Sequence, residues 1–235
     1  MWRGRSVARG AWLADERRVE IRRIGARLSS DQSALFAFLE GGLINVKRFG
    51  TWILMAITAL PISQGWGESP VPFIPDDFAV PTELTADRYR LRMLTIRDVV
   101  QDYDAVMSSA EHIAHVNPFP GSDWPSGLTL EDNLIDLGWH QAEFRNRTSF
   151  AFTVVELDES RVIGCVYIFP TRKAGYDARV VLWTRPPEQL SFLDEQELRG
   201  VVRRWLSEAW PFKRPAFPGA DLSWEAWAAL PERAR

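Results

Sequence analysis

Between Phe150 and Phe169 the chain carries two runs rich in β-branched and aromatic residues, on either side of Asp158-Glu159-Ser160. Phe150, Phe152 and Val154 form the first run and Val162 to Phe169 the second. Such side chains lose rotamer freedom in a helix but pack well on a pleated surface, and the polar triplet supplies a turn, so the pattern predicts a β-hairpin. A hairpin this apolar has to be covered, which puts a sheet at the centre of the fold and layers around it.

The flanking sequence supplies both. Arg88 to Leu94 alternates Tyr89, Leu91 and Met93 with Arg88, Arg90 and Arg92, the period of a half-buried strand. Asp177 to Arg185, reached through Gly175, predicts a further strand. Thr95 followed by Asp98 predicts a capped helix with Val99, Tyr103, Val106 and Met107 on its apolar face, running to Ser108-Ser109. Thr129 followed by Asp132 predicts another, with Leu130, Leu134, Leu137, Gln141 and Phe144 along one side. Leu193 to Trp210 predicts a third, burying Leu198, Val201, Val202, Trp205 and Leu206 and ending at Pro211. Asn117 to Gly127 holds three prolines and two glycines and reads as loop. The order, a strand, two helices, then antiparallel strands and a helix, predicts an α/β (α+β) sheet protein.

Residues 1–71 read as an extension and 72–235 as the folded domain, with Gly65 to Pro81 an extended linker because of Pro70, Pro72, Pro75 and Pro81. From Trp12 to Leu28, Leu13, Ile21, Ile24 and Leu28 recur near helical spacing among Arg17, Arg18, Arg22, Arg23 and Arg27, so a basic amphipathic helix or a solvated leader is expected. Lys47 and Arg48 precede an apolar stretch, Phe49 to Leu60, then Pro61, Ser63 and Gly65, in the order of an export signal. A dozen apolar residues fall short of the roughly 20 that span a bilayer, so membrane contact is expected only through residues 47–65.

The charge is uneven. Residues 1–50 hold 10 basic and 5 acidic side chains, leaving 18 and 26 for the rest. An acidic body without an arginine-rich stripe argues against nucleic acid and suits a cationic or amine ligand. Cys165 is the single cysteine, which excludes an intramolecular disulfide and a cysteine-built zinc site and fits a cytoplasmic setting, with a membrane-associated or exported setting as the alternative.

Three phrases in this order of elements, Arg90-Leu-Arg-Met-Leu-Thr-Ile-Arg-Asp98, Val162-Ile-Gly-Cys-Val-Tyr167 and Ala178-Arg-Val-Val-Leu-Trp-Thr-Arg185 before a helix, resemble the GCN5-related N-acetyltransferase (GNAT) superfamily over roughly Pro72 to Phe217. The resemblance implies a mixed, mostly antiparallel twisted sheet flanked by helices, acetyl-CoA as co-substrate, and transfer of an acetyl group to an amine of a small molecule or protein; the histidine spacing discussed below adds the expectation of no metal. It also implies that the family's splayed fourth strand lies at Asp177 to Arg185, which makes Leu182, Trp183, Thr184 and Arg185 the cofactor-binding candidates. Arg185 matches the first residue of the family's phosphate loop, Arg/Gln-x-x-Gly-x-Gly/Ala, whereas Glu188 and Leu190 stand where its small residues belong. About 25 residues follow the last predicted helix, short for the family's later elements, and its helix-borne tyrosine acid has no counterpart. A non-catalytic domain of acyltransferase fold that binds a ligand or partner is therefore the alternative.

Candidate acid or base groups are His140 and Glu143, one helical turn apart beside Trp139, and Tyr167, Glu156 and Tyr176 on or near the strands. Each competes with a structural reading: an ion pair along the helix for the first two, packing for the others. His112 and His115 next to Glu111, with His140, do not form a metal-ligand motif. Cys165 lies in an apolar run and reads as core. Ser126 and Ser191 lack a hydrolase setting, and no P-loop or dinucleotide fingerprint is present.

Overall fold

A computed structural model of the protein describes residues 72–233, which belong to one unit, Val71–Arg235. The expected basic helix at 12–28 and the apolar stretch at 49–60 lie outside the described residues. Six strands form one sheet: β1 (Glu83–Thr85), β2 (Tyr89–Met93), β3 (Phe150–Glu156), β4 (Val162–Pro170), β5 (Ala178–Thr184) and β6 (Pro215–Ala216). They lie side by side in chain order, antiparallel throughout except that β6 runs parallel to β5. Among the described residues five helices flank the sheet: α1 (Val99–Ser108), α2 (Ala110–Val116), α3 (Leu130–Arg145), α4 (Glu195–Ala209) and α5 (Trp224–Ala229). The mixed, mostly antiparallel sheet flanked by helices is of the expected fold class.

The hairpin of β3 and β4 is buried along nearly its whole length, as its continuous apolar character requires. One sheet face carries Phe152, Val154, Val166, Ile168, Val180 and Leu182, covered by Leu198, Val202, Trp205 and Leu206 of α4. The opposite face carries Thr153, Cys165, Tyr167, Val181 and Trp183 and lies under α1, α2 and α3. Both capping boxes form. Thr95 and Asp98 bond reciprocally, as do Thr129 and Asp132. The first box opens a 3-10 turn, Ile96–Asp98, before α1 begins at Val99, one turn later than the spacing predicts.

Two segments differ from expectation. Residues 72–80 are not a linker: Ile74 is buried, Phe73 stacks on Phe150 and packs on Phe212, and Phe78 packs on Trp210. The prolines forbid a helix there but not burial of the aromatic side chains between them. Helix α2 was not foreseen; only Ile113 of its seven residues is buried, so it has no apolar period to read, and it ends at Asn117 in a left-handed conformation (φ 47°). Among the described residues no helix is long and apolar enough to cross a membrane.

Candidate functional site

Strand β6 pairs only with Ala178 and Arg179, so β5 has no neighbouring strand beyond that point on its outer side. Residues of a strand turn their backbone groups alternately to either side. The Arg185 N–H donates to Ile163 O of β4 (2.9 Å), so Thr184 and Leu182 turn theirs toward the unpaired edge, while Val180 lies next to the pairing with β6. An edge of this kind can accept an extended ligand as if it were a further strand.

At the end of that edge a carboxylate is already in place. Glu195, the first residue of α4, accepts from the Thr184 N–H (3.1 Å), the Thr184 hydroxyl (2.9 Å) and His112 Nε2 of α2 (2.7 Å), all at Oε1. Burial works against its charge, but the His112 and Thr184 hydrogen bonds hold its carboxyl below the usual range. Asp194 caps the same helix through Glu197 N (2.8 Å). A helix N-terminus attracts anions, and here two side chains of the protein satisfy it.

Arg185 is turned inward and is 4% exposed. Its guanidinium donates to Val162 O (2.7 Å), Ser108 Oγ (2.7 Å), Gln189 Oε1 (2.9 Å) and Asp104 Oδ2 (2.6 Å), tying β4, α1 and the 186–193 loop together. The loop is further held by Gln189 Nε2 on Ser108 O (2.8 Å) and by the Gln189 and Leu190 amides on Pro186 O. Leu190 is buried in the core beside Leu193, while Glu188 is exposed. The unpaired edge thus suits an extended arm with amide groups. The loop end, with Glu195 on the Thr184 amide and Arg185 engaged, does not suit a diphosphate in this conformation.

The other sheet face holds a buried polar cluster. Asp102 of α1, 3% exposed, accepts from Asn133 Nδ2 (3.0 Å) and from Cys165 Sγ (3.5 Å). Burial, only partly offset by these hydrogen bonds, pushes its carboxyl up to about 6. Cys165 is core, as expected, and burial with Asp102 beside it pushes the thiol well up, so it is not a ready nucleophile.

His140 and Glu143 do meet, Nδ1 to Oε2 at 3.7 Å, and Asp136 Oδ2 lies 3.6 Å from Nε2. Burial disfavours the imidazolium, but the two carboxylates outweigh it and raise His140 to about 9. Its ring centroid is 5.2 Å from that of Tyr167, whose hydroxyl is pushed well above the usual range by burial, with Cys165 and Asp102 adding to it. Phe119 packs edge-on against Tyr167 (5.5 Å), and Trp124 contacts Phe119 (5.5 Å) and Trp183 (6.4 Å). The 117–128 loop is thereby laid over the face of the strand whose edge is unpaired.

The remaining candidates lie elsewhere. Glu156 is engaged with Arg161 (2.6 Å) and Ser160 at the hairpin end, five residues along β3 from Ala151, the partner of Tyr167. Tyr176 packs on Trp227 and lies under Arg214. Trp139 is exposed, and among the described residues no metal-ligating cluster of three side chains gathers. Sequence reasoning missed Glu195 and Asp102. Asp102 lies four residues from both Asp98 and Val106, which puts it on the inward side of α1, the one signal that was there to read.

No protein-family model matches the chain, and no curated protein matches it. Solved structures are similar in fold. The ribosomal-protein-S5-alanine acetyltransferase from Vibrio fischeri is 18% identical with a TM-score of 0.43, over 55% of this chain and 69% of that one. The microcin C7 self-immunity acetyltransferase MccE, in complex with acetyl-CoA and AMP, is 12% identical with a TM-score of 0.41, over 55% and 67%. RimJ from Mycobacterium smegmatis, in complex with CoA-disulfide, is 16% identical with a TM-score of 0.43, over 55% and 61%.

Proposed function

We propose that the domain is a GNAT-like N-acetyltransferase that moves an acetyl group from acetyl-CoA to an amine of a small molecule or protein. The observation that carries this reading is the edge of β5 from Val181 to Thr184, left without a partner strand by the two-residue β6. In this reading the Leu182 backbone groups and the Val180 carbonyl hold the pantetheine arm as a strand would be held. Acetyl-CoA supplies the thioester. The protein's contribution is to fix its carbonyl near the amine and to exclude water. His140, charged at neutral pH, is not the base; it stands behind Tyr167, which burial keeps protonated and which is assigned as proton donor to the departing sulfur. The proton that the acceptor nitrogen releases restores the Tyr167 phenol, so neither group keeps a charge. The acidic balance of the body favours a cationic amine, and a cytoplasmic place of action accords with one free, buried cysteine.

A second reading, a non-catalytic domain that binds a ligand or partner, is favoured by Glu195 on the Thr184 amide and by the inward Arg185. Titration calorimetry of acetyl-CoA and desulfo-CoA into the full chain and its Glu195→Ala variant separates the two. The first reading expects micromolar binding that tightens at least about tenfold in the variant, because a half-buried anion at the end of the edge no longer opposes the phosphates. Absence of heat in both folded proteins would discard the acetyltransferase reading in favour of the second.

A further inference from the structure

Among the described residues, six of the seven exposed large apolar side chains belong to one neighbourhood: Ile96 and Val100 at and beyond the 3-10 turn, and Leu130, Leu134, Ile135 and Trp139 on α3. They are 44–67% exposed, whereas scattered single exposures are the norm for a soluble domain. Helix α3 is consequently apolar on both sides. Leu137, His140 and Phe144 face the sheet, and Leu134, Ile135 and Trp139 face away. An apolar stripe on the outer side of a helix is ordinarily covered.

We propose that this outer face of α3 pairs with the same face of a second copy, the two helices antiparallel and crossing at Gly138. Three features select that occupant. A Cβ at Gly138 would meet only Ile96 Cγ2, at 3.9 Å, so the mid-point of the stripe is a low spot where a second backbone comes close. A two-fold axis there sets residues equally far from position 138 opposite each other, so Leu134 meets the small, exposed Ala142 of the other copy, large against small. It also sets Glu131 opposite Arg145, each seven residues from the crossing, both exposed and neither in an ion pair among the described residues. A parallel pairing would put Glu131 on Glu131 and Arg145 on Arg145, so the charges choose the antiparallel arrangement. The exposed face continues onto Ile96, whose amide donates to Gln141 Oε1 (3.2 Å), and the 16-residue helix offers a contact about 24 Å long.

Sedimentation equilibrium of the full chain, with circular dichroism as the control for folding, tests this. The unaltered protein is expected to be a dimer at micromolar concentration. Trp139→Glu, at a solvent-exposed position, should leave the melting curve in place and weaken the dimer at least about tenfold. Glu131→Arg alone should weaken it, and Glu131→Arg with Arg145→Glu should restore it, a rescue that loss of folding would not produce. A monomer at all concentrations up to about 100 μM would overturn the proposal. So would a dimer indifferent to both Trp139→Glu and the charge exchange.

Discussion

Asp102 and His140 are buried to the same degree, yet their surroundings drive their charges in opposite directions. Asp102 has Asn133 and a thiol as hydrogen-bond donors and the fields of Asp136 and His140 oppose each other, so burial wins and its folded value rises from 3.8 to about 6. An acid that is harder to ionise when folded lowers stability as pH rises between those values and leaves it low above them. Asp102→Asn is therefore expected to stabilise the protein by up to about 3 kcal/mol at pH 7 and by little at pH 4. Thermal melts of both proteins at pH 4, 5.5 and 7 check this, and a difference that does not grow with pH would reject it. His140 has two carboxylates, so its folded value rises from 6.5 to about 9. The stability that it contributes is whole below pH 6.5 and is lost as pH rises through about 9, a loss that His140→Gln should abolish in melts run from pH 6 to pH 10. The His140–Glu143 contact was legible from the helical spacing. The charge state was not, because Asp136 adds its field from the neighbouring turn and burial can be known only from the packing.

The elements were read well wherever a local signal repeats the global demand. The two capping boxes, the period of α4 and the hairpin of β3 and β4 were in the sequence because each is set by neighbours a few residues away. Gly164 was not. It stands in β4 opposite Thr184, where an added Cβ would lie 2.4 Å from the Trp183 carbonyl oxygen and 3.2 Å from Thr184 Cα, and the partner that forbids a side chain is twenty residues away. Gly164→Ala is accordingly expected to force β4 and β5 apart at the end of the unpaired edge. The cost should be about 2–4 kcal/mol in denaturant unfolding, large for so small a change, and Arg185 should lose its hold on Val162. An unchanged midpoint would mean that the strands tolerate a wider spacing. The 186–193 loop was hidden for the same reason. The residues that anchor it, Ser108 and Arg161, come from other elements.

For the whole molecule, residues 72–80 decide where the domain begins. Phe73 lies between Phe150 and Phe212, and Arg147, itself left-handed at φ 61°, donates to Pro75 O (2.7 Å) and Phe78 O (2.8 Å). This strap seals the α4 side of the sheet, so Phe73→Ala is expected to lower stability by about 2 kcal/mol, read as a drop of several degrees in melting temperature. Prolines made the segment look like a boundary, because sequence shows what backbone they forbid and not what their neighbours bury. The sheet itself is laid down in chain order, each strand beside the one before it. On a ribosome, every strand after the first therefore meets its partner already made. The strap is the exception: Phe73 and Phe78 emerge first and have no complete seat until Trp210 and Phe212 follow, well over a hundred residues later. Synthesis of this domain thus leaves its earliest described aromatic residues in need of shelter longest, until Trp210 and Phe212, just beyond α4, complete their seat.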